Sequence, residues 1–220
     1  MRIAKLKICG IRSVEELQSI SALDIDAFGV LVGQVHSSPD FVSPDVARSI
    51  TQRAHPFLNS VLVTHLETTS EIVALCAQVP SASVQVHSDM SAANLAKLRA
   101  LIFPRKVIGK VSVEDDRAMR RALEIQTSVD ALLLDTIARS NDQVGGTGRT
   151  HDWSISAKIV AKTSVPIILA GGLNATNISD ALRTVKPSAI DINSGAKRSD
   201  GSKSIDKVAE LVRVCKSTEF

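Results

Sequence analysis

Eight short apolar runs, separated by longer amphipathic stretches, constrain this chain more than any other feature. They are residues 5–9, 27–32, 59–63, 83–87, 106–111, 131–135, 166–170 and 189–192. All are rich in Val, Ile and Leu and mostly lack polar alternation, as strands buried on both faces do. Helical periodicity fills the gaps. Ser13 with Glu16 three residues on is a capping-box pattern. Ser43-Pro44 puts a capping hydroxyl ahead of a proline at the first helical position. Residues 174–184 and 204–216 read as further helices. Eight βα units in 220 residues predict an α/β fold, a single (β/α)8 TIM barrel spanning 1–220 as one domain. A doubly wound open sheet is the competing architecture. Eight similar units without a second domain favour closure.

Composition narrows the function classes. Net charge is +3 with Lys and Arg scattered, and aromatics are 3% with no Tyr. A nucleic-acid binder concentrates basic residues on one face and offers stacking platforms, so no nucleic-acid partner is expected. No apolar run approaches the ~18 residues that span a bilayer, so no membrane partner is expected either. Cys9, Cys76 and Cys215 are far apart and form no CxxC pair. Neither a disulfide framework nor a metal site is indicated, and a reducing cytoplasm fits. The N-terminus has no apolar stretch of signal-peptide length. The expected partner is a small molecule, bound by a monomer or homodimer.

Barrels of this kind carry their sites at the C-terminal ends of the strands. Gly171 and Gly172 follow the seventh run, and Ser194 and Gly195 follow the eighth. Gly146 and Gly148 lie in a third glycine loop after the sixth. Glycines let backbone N–H groups approach an anion closely, so a phosphate cradle is predicted and a phosphorylated ligand with it. Tight turns are the plainer reading of such glycines, weakened here by three loops in barrel order. Cys9 ends the first run beside Lys7, and Asp135 ends the sixth after three leucines. Cations lower a thiol pKa and apolar surroundings raise a carboxyl pKa, so the two could work as base and acid. A small buried hydrophobe is the ordinary fate of a free cysteine.

These segments resemble the phosphoribosylanthranilate isomerase family along nearly the whole chain. The resemblance is carried by Lys7-Ile8-Cys9-Gly10-Ile11, Val84-Gln85-Val86-His87, Leu133-Leu134-Asp135-Thr136, residues 145–153, Leu169-Ala170-Gly171-Gly172-Leu173-Asn174 and Asp191-Ile192-Asn193-Ser194-Gly195. It implies a (β/α)8 barrel with no metal or organic cofactor. It also implies an Amadori rearrangement of a phosphoribosyl amine to a 1-amino-1-deoxyribulose phosphate, a step of tryptophan biosynthesis. By position, Cys9 would take the sugar C2 proton and Asp135 would protonate the ring oxygen, with Asp40, His87, Asp191 and Lys197 among the substrate-binding residues. The chain departs from the family pattern at several of these places. Asp40 stands where an arginine is expected, and Lys197 where an acid is expected. Ser88 replaces a glycine, and His151 a phenylalanine. Three readings of Asp40 follow: a cation from Lys197, Arg149 or Lys110 compensates; the aglycone has changed; or Asp40 caps a local turn. Two other functions compete, a lysine-dependent lyase using Lys7 or Lys110 and a ligand sensor without catalysis.

Overall fold

The computed structural model describes residues 3–33, 35, 37–136 and 151–220. Strands and helices alternate in the order β1 (Lys5–Ile8), α1 (Val14–Ser21), β2 (Ala27–Leu31), α2 (Pro44–Gln52), β3 (Asn59–Thr64), α3 (Thr69–Gln78), β4 (Ser83–Val86), α4 (Ala92–Leu101), β5 (Lys106–Val113), α5 (Arg117–Ile125), β6 (Ala131–Thr136), α6 (Trp153–Lys162), β7 (Ile167–Leu169), α7 (Ile178–Val185), β8 (Ala189–Ile192) and α8 (Ile205–Ser217). The strands are all parallel and close into a barrel, with β1 paired to β2 on one side and to β8 on the other. The expected (β/α)8 architecture is the one observed. Among the described residues, no helix is long and apolar enough to cross a membrane.

The pleat explains how near-continuous apolar runs deliver polar groups to one place. Successive side chains on a strand point to opposite faces. On β1, Leu6 and Ile8 face the helices, which turns Lys7 and the following Cys9 into the barrel. On β8, Ile190 and Ile192 face outward and Asp191 inward; on β6, Leu132 and Leu134 face outward, and Leu133 and Asp135 inward. The outer layer, between strands and helices, holds most of the core, including Phe28, Leu62, Leu98 and Leu211. A smaller cluster of Leu31, Val61, Val63, Ile108, Leu133 and Ile168 plugs the barrel below the polar groups. Each fully buried Leu or Ile stabilises the fold by about 1.5–3 kcal/mol.

Helix starts follow the sequence closely. Ser13, Ser43 and Ser204 accept hydrogen bonds from Glu16, Val46 and Lys207 backbone N–H groups, each cap contributing about 1 kcal/mol. The capping box at Ser13 is altered: Glu16 reaches back to the backbone N–H of Arg12, and its other oxygen accepts from the backbone of Lys203. One expectation shifts. The helix expected from residue 174 starts at Ile178, because Asn174 and Asn177 build a turn first; Asn177 accepts from the Asn174 backbone and donates to the Gly172 carbonyl. After β8 comes a 3-10 turn, Ser194–Ala196, and α8 then starts at Ile205, where a helix is expected.

Candidate active site

A cavity of about 220 Å³ opens at the C-terminal ends of the strands. Cys9, His87, Asp135, Asp191, Gly171, Gly172 and Ser194 all lie on its wall. Seven residues singled out from sequence thus meet at one place. Gly171 and Gly172 have φ of +87° and +65°, a backbone that favours glycine, and a side chain on Gly171 would collide with Thr136. Gly195 packs beneath the wall, where a Cβ would run into the Leu173 carbonyl oxygen. Its lack of a side chain lets the loops after β7 and β8 touch. Gly146, Gly148 and Arg149 lie outside the described residues.

At the floor, Lys7 is 3% exposed and donates to Asp191 Oδ2 at 2.6 Å and to Gln85 Oε1 at 2.9 Å, with Cys9 Sγ at 3.5 Å. Burial works against the ammonium, but Asp191 and Cys9 outweigh it and hold the Lys7 pKa above its ordinary value. The thiol departs from expectation. Burial pushes Cys9 up to about 11, Asp191 adds to the rise, and Lys7 and Lys203 offset only part of it. Lys7 has little charge to lend, because it is already matched by Asp191. Asp191 has one further property: its Oδ1 is buried and unpartnered among the described residues, a costly state unless something donates to it.

Asp135 behaves as the sequence suggested. Burial lifts its pKa to about 6, against a backbone N–H bond from Thr136 that favours the anion. His87 Nε2 lies 3.6 Å from Asp135 Oδ2. His87 stacks on His65 at a centroid distance of 4.7 Å, and His65 meets Phe41 edge-on at 5.1 Å. One rim of the cavity is therefore aromatic, although aromatics are scarce in the chain.

Asp40 does not cap its turn with its carboxylate. That carboxylate takes Lys197 Nζ at 2.6 Å on both oxygens and Asn193 Nδ2 at 2.9 Å. Burial opposes its charge, but the Lys197 and Asn193 bonds hold its pKa below the usual carboxylate range. The two charge departures, at 40 and 197, are thus one ion pair. Asn193 Oδ1 in turn accepts from Lys203 Nζ at 2.8 Å. Lys203 is 2% exposed, and burial lowers its pKa to about 8. This strap ties the loop after β2 to the loop after β8, across the end of β1. Gln85 and Lys203 are site residues that the sequence reading does not pick out. For Gln85 a signal existed: a lone polar residue at an inward position of an apolar strand.

His151, where the resemblance predicts phenylalanine, is buried beside the site. Its Nδ1 lies 3.0 Å from Thr136 Oγ1 and its Nε2 2.6 Å from Ser156 Oγ. Burial lowers its pKa to about 4. The unfolded chain therefore takes up this proton first, and stability is lost as pH falls from about 6.5 to about 4. The full loss is about 3 kcal/mol. Urea unfolding at pH 7 and at pH 4.5 should show this loss in the wild type and a smaller one in His151→Gln.

Comparison with known proteins places these residues in context. The model of the family described as N-(5'-phosphoribosyl)anthranilate (PRA) isomerase matches residues 6–214. The chain is 38% identical to N-(5'-phosphoribosyl)anthranilate isomerase 2 of Methanosarcina mazei, over 98% of this chain and 96% of that one. It is 35% identical to the N-(5'-phosphoribosyl)anthranilate isomerase of Haloferax volcanii, over 98% and 94%. The solved phosphoribosyl anthranilate isomerase of Thermotoga maritima superposes with a TM-score of 0.85 at 29% identity, covering 97% of this chain and 99% of that one. A further solved isomerase, in complex with reduced 1-(o-carboxyphenylamino)-1-deoxyribulose 5-phosphate, gives 0.82 at 28% identity, covering 97% and 99%.

Proposed function

The chain belongs to the N-(5'-phosphoribosyl)anthranilate isomerase family, and on that premise we propose how its residues perform the reaction. The protein is an isomerase of tryptophan biosynthesis that acts on phosphoribosylanthranilate. It is an aldose–ketose isomerase, and the lysine-dependent lyase is not favoured, since Lys7 is already paired to Asp191.

Asp135 gives its proton to the ring oxygen of the ribose. The C1–O bond breaks while the aglycone nitrogen forms a double bond to C1, leaving a cationic imine. Cys9 then takes the proton from C2, and the electron pair left behind neutralises the nitrogen, giving an enolamine. A proton then adds to C1 while the enol hydroxyl on C2 gives up its own, which yields the ketone product. The order matters for the thiol. A cation forming beside the sulfur makes the thiolate easier to reach and acidifies the C2 proton in the same step. The backbone of Gly171, Gly172 and Ser194 holds the phosphate, with Gly195 supporting the turn. Asp191 Oδ1 accepts a hydrogen bond from a sugar hydroxyl, which satisfies it, and His87 orients the carboxyl of Asp135. A cytoplasmic setting, as monomer or homodimer, fits this reading.

The observation that carries the proposal is the shared cavity wall: Cys9 and Asp135 face one space together with the two positive-φ glycines and Ser194. Turnover of phosphoribosylanthranilate, followed by the loss of its fluorescence, tests it. Cys9→Ser should lower kcat by at least about 10²-fold, since a serine hydroxyl is a far weaker base, while the unfolding curve stays within about 1 kcal/mol of wild type. A wild type that folds but turns nothing over would remove the reading. An active Cys9→Ser would remove the base assignment alone.

A further inference from the structure

Phosphoribosylanthranilate carries a benzoate carboxylate, and the described cations near the mouth differ sharply in their freedom to meet it. Lys7 is spent on Asp191 and Gln85 beneath the cavity. Lys203 is buried and turned to the carbonyl and side-chain oxygens of Asn193. Lys110 faces inward on β5, the neighbour of β6, and its charge acts on Asp135, where the ring oxygen reacts. Lys197 is different. Its side chain is 19% exposed against 9% for Asp40, so Lys197 is the more accessible member of the pair. An ammonium has three N–H donors, and Lys197 directs its described side-chain hydrogen bonds at the one carboxylate of Asp40.

Position points the same way. On the proposed reading the phosphate binds the loops after β7 and β8, and Cys9 at the end of β1 acts on C2. The aglycone hangs on the next carbon, C1. The Asp40–Lys197 strap crosses that end of β1, and Asn193, which lines the cavity, donates to the same carboxylate. We propose that Lys197, steadied by Asp40, receives the carboxylate of the aromatic amine and so sets the aglycone preference of this site. The expected arginine and acid have then been exchanged in sign between the two loops: the cation now comes from the loop after β8, and residue 40 holds it. This inference rests on the isomerase reading and names the group that recognises its substrate.

The test uses two non-reacting probes, reduced 1-(o-carboxyphenylamino)-1-deoxyribulose 5-phosphate and the same compound without the carboxylate, with binding to the whole protein followed by calorimetry. The wild type should prefer the carboxylated probe at least tenfold. The double variant Asp40→Asn/Lys197→Met leaves no orphaned charge, and it should bind both probes about equally. Lys197→Arg should keep the preference. Lys110→Met should keep the ratio as well. If the double variant retains the wild-type ratio, or Lys110→Met abolishes it, Lys197 is not the recognising group and the isomerase reading is untouched. If the wild type binds neither probe, the isomerase reading falls and this inference with it.

Discussion

Asp135→Asn should reduce kcat by about 10²–10⁴-fold, the usual contribution of a positioned acid, while the protein folds at least as well as before. The two halves of that expectation share one cause. Burial holds the Asp135 carboxyl at about 6, so its environment resists the charged form. A group raised in the folded state contributes stability below its unfolded pKa and loses it as pH rises through the folded value. At pH 7 the carboxyl is mostly ionised against that resistance, and a neutral amide of the same shape relieves it. Asparagine cannot, however, hand a proton to a ring oxygen. Unfolding midpoints at pH 7 and single-turnover rates on the same preparations check both. A variant that is stable and fully active would show that the ring opens without this acid.

The same pair of groups fixes the shape of the pH profile. The reaction needs a thiolate facing a protonated acid, whereas the resting site prefers the reverse, with the proton on sulfur near 11 and Asp135 ionised above about 6. Both arrangements contain one proton, so their ratio does not change with pH between those values. kcat/KM should therefore rise through about pH 6 and then stay level up to the alkaline limit of the fold. A conventional pairing, with a base titrating below its acid, would give the same limbs, so only the variant tells them apart. In Asp135→Asn the limb near 6 should vanish from what activity is left.

Much of this architecture can be read from the chain, because strand burial leaves a coarse signature. All eight strands lie within a residue or two of their apolar runs. The starts of α1 and α2 are marked by serine caps that the fold uses. Cys9, Asp135, Gly171, Gly172 and Ser194 were legible because barrel chemistry gathers at strand ends. Two kinds of information were not. The ionisation of Cys9 depends on what else Lys7 touches, and its partner Asp191 is 184 residues away. The meaning of Asp40 depends likewise on Lys197, 157 residues away. Sequence shows that a charge has changed sign at each place. Only the closed barrel, which brings the β2 and β8 loops to the two sides of β1, shows that the changes face each other. The start of α7 was misplaced for a local reason, since Asn174 and Asn177 look like helix openers and spend their side chains on a turn.

Lys7→Met should destabilise the protein by about 3–5 kcal/mol, the usual penalty for stripping one partner from a buried ion pair. That is a large share of the about 5–15 kcal/mol that holds a domain folded. The Lys7 and Asp191 side chains are 4% and 6% exposed. Without the ammonium, Asp191 would be a buried carboxylate with neither oxygen matched among the described residues, and Gln85 Oε1 would lose its donor as well. The double variant Lys7→Met/Asp191→Leu should recover most of the loss, because apolar groups of similar volume replace a buried pair at little net cost. Urea denaturation of the wild type, both single variants and the double gives the coupling energy directly. Neither Lys7 variant should be active, for the sulfur has lost its nearest cation in both and the sugar its acceptor in the double. Full recovery of stability without recovery of turnover would place the pair in the chemistry of the site, as the reason why so costly an arrangement occupies the middle of the barrel. A Lys7→Met protein within about 1 kcal/mol of wild type would instead mean that water or a shifted side chain already shields Asp191, and the case for that oxygen as a substrate acceptor would weaken with it.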